Sequence, residues 1–218
     1  MSRPDEHSQV AGETTYRYSS DWVHRLESER HWRLYWRQQK LMEGLVGERD
    51  SVLEIGPGSG FTSNYLRSKG IAVTTLDIDS AKHPDVVANV VEYEFPDPYD
   101  AIVAFEMFEH IPYEQFQAVL ARAAASARTF VFLSVPRNRK TAARLEIKLP
   151  KLKGWTAELK VRKGGIDEPY HVWEVDHGGI SVSSLEADLE KVAPIERRHE
   201  AFDRLFYALA TDRVRKEN

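Results

Sequence analysis

Residues 51–70 read SVLEIGPGSGFTSNYLRSKG. An apolar run ends in the acid Glu54, glycines follow at 56, 58 and 60, and a short helical pattern closes at Gly70. A glycine-rich turn between strand and helix lets the backbone approach a ligand and aims helix N–H groups at it. The dinucleotide fingerprint would need a third glycine at position 61, where Phe61 stands. A carboxylate beside the turn repels a pyrophosphate and favours a ligand that carries positive charge. A nicotinamide site and a plain tight turn are the competing readings of this stretch taken alone.

Outward from this stretch, strand and helix patterns alternate. Strands are expected at 51–55, 71–76, 85–88, 100–105 and 129–135, with helices at 60–68 and from Pro112 to Ala125. Two final strands are expected near 193–199 and 204–211, after a helix opened by a capping box at Ser183–Glu186. Near-continuous apolar strands between helices indicate a parallel sheet covered on both faces. Only about eight residues link the second and third strands, so that crossover must be very short or irregular. Asp77, seventeen residues beyond Gly60, ends the second strand, where a carboxylate suits ribose hydroxyls. Ile78 follows it, placed to cover an adenine face.

With these residues the chain resembles the class I S-adenosylmethionine-dependent methyltransferases. VLEIGPGSG resembles that family's first motif and VTTLDIDS its second. VVANVVEYEF resembles the third and YDAIVAFEMFEHIP the fourth. The resemblance covers Val52 to Pro136. It implies an α/β, Rossmann-like class I methyltransferase fold: a seven-stranded, mostly parallel sheet with its last strand antiparallel and helices on both faces. It also implies S-adenosyl-L-methionine as cofactor and S-adenosyl-L-homocysteine as product. The cofactor residues carried over are Glu54, Gly56, Pro57, Gly58, Ser59, Gly60, Asp77, Ile78, Asn89, Val90, Phe105 and Glu106. Asn89 stands where the family commonly has an Asp that binds the adenine amino group, so an amide oxygen is expected to make that contact.

Methyl transfer needs an oriented nucleophile, excluded water and, where the nucleophile carries a proton, a base. His110 is the candidate base and Glu109 its partner, because they follow the fourth strand where the methyl group should emerge. Local hydrogen bonding is the bland role for that histidine. Glu106, Glu109 and His110 also resemble a divalent-metal motif of ubiquinone O-methyltransferases and small-RNA 2′-O-methyltransferases, completed by a later histidine, here His171 or His177. A metal is the less favoured of the two readings.

The 218 residues contain no cysteine, which excludes disulfides and thiolate chemistry. The net charge is −4, yet residues 137–163 carry ten Lys/Arg against two acids, a local +8. Residues 1–46 are expected to form a mobile N-terminus, over its first fifteen or so residues, and an aromatic helical lid over 20–46 bearing Trp22, Trp32, Tyr35 and Trp36. Residues 47–218 are expected to form the methyltransferase domain, with a basic acceptor-side insertion at about 137–180. The lid, the insertion and 171–176 are expected to recognise the acceptor, a small molecule of anionic or aromatic character, by O- or N-methylation. An RNA-directed enzyme and a non-catalytic cofactor-binding protein are the alternatives. A single aromatic, Trp155, among residues 137–163 and an acidic chain speak against nucleic acid. With no membrane-length apolar run and no secretory h-region, a cytoplasmic protein without a membrane partner is expected. The oligomeric state stays open.

Overall fold

The computed structural model describes residues 6–11, 14–19, 23, 27–96, 98–147 and 155–211. Its chain order begins with an antiparallel hairpin, β1 (Glu6–Ala11) and β2 (Thr14–Ser19), followed by α1 (Glu29–Met42). The central elements are β3 (Ser51–Ile55), α2 (Phe61–Ser68), β4 (Ala72–Asp77), β5 (Val86–Val87), β6 (Ala101–Phe105), α3 (Tyr113–Ser126) and β7 (Phe130–Pro136). A two-stranded ribbon follows, β8 (Arg139–Ile147) and β9 (Trp155–Arg162). The chain then finishes the domain with α4 (Val182–Val192), β10 (Ile195–Ala201) and β11 (Arg204–Ala210).

Seven strands form one sheet in the order β10-β11-β7-β6-β3-β4-β5. Only β11 runs against its neighbours, pairing antiparallel with both β7 and β10. The expected fold class is therefore the observed one. Strand alternation sorts the core into two layers. Leu53, Ile102, Val131 and Tyr207 pack under α3 and α4, while Val52, Val103, Phe132 and Phe206 pack under α1 and α2. The short β4–β5 crossover contains only a 3-10 turn at Ser80–Lys82. Asp85 closes it by accepting from the Thr75 N–H and hydroxyl, each at 2.8 Å.

Two local expectations are corrected. Residues 6–19 pair as a hairpin rather than carrying no element, because Tyr16 is buried and its hydroxyl donates to Gln115 of α3 at 2.8 Å. That anchor is 99 residues away in sequence. Helix α1 is capped by Ser28, whose side chain accepts from the His31 N–H. Trp22 lies outside the described residues. Helix α4 is capped by Ser181, whose side chain accepts from the Ser184 N–H while Ser184 Oγ accepts from the Ser181 N–H. The capping box therefore sits two residues before the expected one and uses Ser in place of an acid.

Candidate active site

All parallel strands end on one edge, and a cavity of ≈590 Å³ opens there. Gly56 and Gly58 turn the chain out of β3 with φ of +69° and +56°, a region that side chains with a Cβ avoid. A Cβ on Gly56 would lie 2.9 Å from Met107 Cγ, so the turn also needs the missing atom. Gly60 caps α2 in the same left-handed region. Gly56, Pro57 and Gly58 line the cavity, together with Glu54, Asp77, Ile78, Asn89, Val90, Phe105 and Glu106. Ser59 and Gly60 face an adjoining recess of ≈280 Å³ that shares Pro57 and Gly58. The twelve expected cofactor residues thus meet at one edge of the sheet.

Their electrostatics differ. Glu54 is buried, its Oε2 has no hydrogen-bond partner, and burial pushes its carboxyl up to about 8 against two bonds with Ser63 that pull it down. Asp77 is engaged: it accepts from the Asp79 N–H at 2.9 Å and pairs with the Lys82 ammonium at 3.0 Å. Asn89 corrects the expectation. Its Oδ1 accepts from the Val91 N–H at 3.0 Å, and Nδ2 is buried without a partner. A backbone N–H can only donate, so the amide oxygen must face Val91 and the NH₂ is left for a ligand. Glu106 adopts φ of +52° and is held by the Ser134 hydroxyl at 2.8 Å and by the Arg204 guanidinium. Both its oxygens are occupied, so it does not join the histidines.

The other end of the cavity is assembled from two distant segments. Glu109 and His110 sit on a 3-10 turn at Phe108–His110, directly after β6. His171 arrives from beyond the ribbon, and its ring centroid lies 5.1 Å from that of His110. Trp173 fixes this meeting: its buried Nε1 donates to the carbonyls of Phe108 and Ile111 at 3.1 and 3.0 Å. Val172 N–H donates to the Glu109 carbonyl at 2.7 Å. His177, the other histidine considered, does not line the cavity.

Hydrogen bonding sets the tautomers. His110 Nδ1 lies 3.0 Å from the Tyr170 carbonyl and His171 Nδ1 lies 2.8 Å from Glu174. A carbonyl and a carboxylate accept, so each Nδ1 carries a hydrogen and donates it, and on neutral His110 the lone pair falls to Nε2. The buried Asn138 donates to Glu174 at 2.9 Å and holds that orienting acid in place. Burial, then the charge of His171, pushes His110 down to about 4, so it is a neutral acceptor throughout the neutral range. Glu109 is fully buried, both its carboxylate oxygens lack hydrogen-bond partners, and burial drives its carboxyl well above the usual range. One donor atom from each of Glu109, His110 and His171 lies within 4.8 Å of the others, the spacing of a small cation site.

Several lining residues had no sequence signal: Tyr16 and Tyr18 of the hairpin, Glu27 before α1, and Arg204 of β11; Tyr35, one of the aromatics of the expected lid, lines the cavity too. Tyr35 stacks on Phe61 at 4.4 Å and bonds Ser59 at 3.0 Å, which closes α1 over the glycine turn. Trp32 and Trp36, the other described aromatics of the expected lid, are largely exposed and do not line the cavity. Nor does any described residue of the ribbon; from the insertion only Glu168, Tyr170 and His171 do.

A family model described as a methyltransferase domain matches residues 15–187. The ubiquinone biosynthesis O-methyltransferase of Pseudomonas fluorescens is 26% identical over 96 residues, covering 37% of this chain and 40% of the relative. That of Pseudomonas syringae pv. syringae is 27% identical over the same length and coverage. The match thus spans about two-fifths of these relatives' length. Among solved structures, magnesium protoporphyrin IX methyltransferase from Synechocystis with bound S-adenosyl-L-homocysteine superposes with a TM-score of 0.55 at 13% identity, covering 84% of each chain. The N-methyltransferase NodS from Bradyrhizobium japonicum, also with S-adenosyl-L-homocysteine, gives 0.58 at 9% identity, covering 86% of this chain and 90% of that one. At such identities the likeness is one of fold.

Proposed function

This chain belongs to the methyltransferase-domain family, the class I S-adenosylmethionine-dependent methyltransferases, and we propose that it methylates an oxygen or nitrogen of a small-molecule acceptor seated beside His110 and His171. The observation that carries the reading is a single cavity with two chemically different ends. One end has the glycine turn, Glu54 and Asp77; the other has two imidazoles, each oriented by a hydrogen bond from its Nδ1.

In this reading the unpartnered Glu54 oxygen takes the positive charge of the cofactor's amino-acid end. Asp77 accepts the ribose hydroxyls, sharing or displacing Lys82, and the Asn89 NH₂ donates to an adenine ring nitrogen. The buried walls exclude water while the acceptor nucleophile is aligned with the methyl carbon. The nucleophile displaces the sulfonium sulfur, and His110 Nε2 takes the nucleophile's proton. His110 titrates near 4, so the step does not wait for an imidazole to deprotonate at neutral pH. The acceptor wall is mixed, with Tyr170 and His171 beside Ile111 and Arg204. Such a wall suits a small aromatic acceptor, anionic where it meets Arg204. Transfer of label from S-adenosylmethionine to fractionated small molecules tests the reading, and label appearing only in RNA or protein overturns the acceptor class.

A second reading is supported by the two unpartnered oxygens of buried Glu109. Glu109, His110 and His171 have the donor set and spacing for a divalent cation. A bound cation would lower the pKa of an acceptor hydroxyl and orient it. Turnover that survives complete chelation eliminates this reading and leaves the first.

A further inference from the structure

The β8–β9 ribbon leaves the sheet at the C-terminal end of β7, the edge on which the cavity opens. Its register sorts its side chains into two unlike faces. The pairs Ile147–Trp155, Leu145–Ala157 and Ala143–Leu159 share one face, and beyond a bulge Lys140 and Val161 continue it. The opposite face takes Lys160 and Arg139, which pair with Asp203 at 2.9 Å and with Asp176 at 2.9 Å. The charged face is thereby tied to the body, and the apolar face is turned away from it.

Nothing in the described structure covers that apolar face. Trp155 is 57% exposed and Leu159 62%, with Leu145, Ile147 and Val161 also exposed. Half of the large apolar side chains left exposed among the described residues lie on this one ribbon. A contiguous exposed patch of this kind marks an interaction surface. Its surroundings state the partner's chemistry. Residues 137–163 carry a net +8 within a chain of net −4. Lys140 lies on the apolar face itself and has no ion pair among the described residues. A second copy of the chain would bring two such segments together and repel itself. An anionic lipid surface offers both what the apolar face lacks and what the cations lack, the pairing that gives stable interfacial attachment.

We propose that the β8–β9 ribbon is a membrane-docking element, lying with Trp155, Leu159, Leu145, Ile147 and Val161 in the interface of an anionic bilayer. The site is separate from the cavity, so the inference stands or falls independently of the acceptor and of catalysis. It runs against the sequence expectation of no membrane partner, which rested on the lack of a membrane-length apolar run and of a secretory h-region. No helix among the described residues is long and apolar enough to cross a membrane. A ribbon needs only to lie on the surface.

Sedimentation of the full chain with phosphatidylcholine vesicles, with and without phosphatidylglycerol, tests it. Binding to the phosphatidylglycerol vesicles alone, weakening as salt rises, is the expected result. Trp155→Ser with Leu159→Ser should reduce partitioning by about thirtyfold or more. Lys140→Ala should reduce it by about fivefold. All three positions are exposed, and an unchanged melting curve confirms that the variants fold. Cofactor affinity in solution should stay at the wild-type value. No binding to anionic vesicles, equal binding to neutral ones, or undiminished binding by the Trp155–Leu159 variant overturns the proposal. So does a dimer that dissociates in that variant, which assigns the face to a second copy.

Discussion

The two ends of the cavity are built on different scales. The end proposed to hold the cofactor comes from contiguous chain: β3, the glycine turn and β4 lie within Ser51–Asp77, and each residue is placed by its own backbone. The far end joins His110 to His171 across 61 residues of sequence, through Trp173, Glu174 and Asn138. Local geometry sets the first end, and tertiary hydrogen bonds set the second. The first should therefore fail residue by residue, and the second as a unit.

The largest expected effect is at the second end. His110→Ala should lower turnover by about a hundredfold to ten-thousandfold, the usual worth of a positioned base, with cofactor affinity nearly unchanged. His171→Ala and Glu109→Ala separate the two readings. If a cation is held, each should cost about as much as His110→Ala, and chelation should mimic them. If not, each costs far less. A pH profile of turnover adds a check: loss of activity by His110 protonation should centre near 4, and a midpoint near 6.5 would contradict the buried imidazole.

Asp77→Ala comes next. It removes an acceptor for two ribose hydroxyls, each worth about 1.5–3 kcal/mol to a charged partner, so affinity for S-adenosyl-L-homocysteine should fall tenfold or much more. The relief of Lys82 is not a gain, because it leaves that ammonium in the cavity without its carboxylate. A calorimetric titration that gives wild-type affinity would break the assignment of this end.

Glu54→Gln should move stability and binding in opposite directions. The folded carboxyl titrates near 8, above its unfolded value, so its stabilising effect is complete at low pH and lost as pH rises through 8. At neutral pH the empty protein should gain up to about 3 kcal/mol from the substitution, read as a raised melting temperature. Cofactor affinity should fall at the same time. In the wild type that affinity should climb with pH up to about 8, with a proton released on binding, as a calorimetric titration in two buffers will report.

A smaller effect tests the tie between segments. Trp173→Phe keeps most of the buried ring but drops two hydrogen bonds to the Phe108–Ile111 turn. About 1–3 kcal/mol of stability should be lost. Turnover should decline more than cofactor affinity, since only the histidine end loosens. The smallest effect belongs to Trp36→Ala, whose side chain is largely exposed on α1. It should change stability by less than about 0.5 kcal/mol and leave turnover unaltered. A large loss there would give Trp36 a part in the aromatic lid that the sequence suggested.

The sequence by itself determined the sheet, the glycine turn, and the placing of Glu54, Asp77 and His110 at one edge. Those features rest on short-range rules: apolar strand runs, positive φ at glycine, and the obligation of parallel strands to end together. Tertiary structure alone decided the rest. It chose His171 over His177, because Trp173 and Val172 bond the turn at Phe108–His110 and no pattern in the sequence encodes that pairing. It drew Glu106 out of the candidate cation site, because Arg204 arrives from β11, 98 residues away. It turned the Asn89 amide so that a donor, not an acceptor, faces the cavity, because the Val91 N–H claims the oxygen. It ordered a polar N-terminal hairpin through Tyr16 and Gln115. A contact between distant residues is settled by which buried polar groups find partners once the chain is packed, and that balance exists only in the folded molecule.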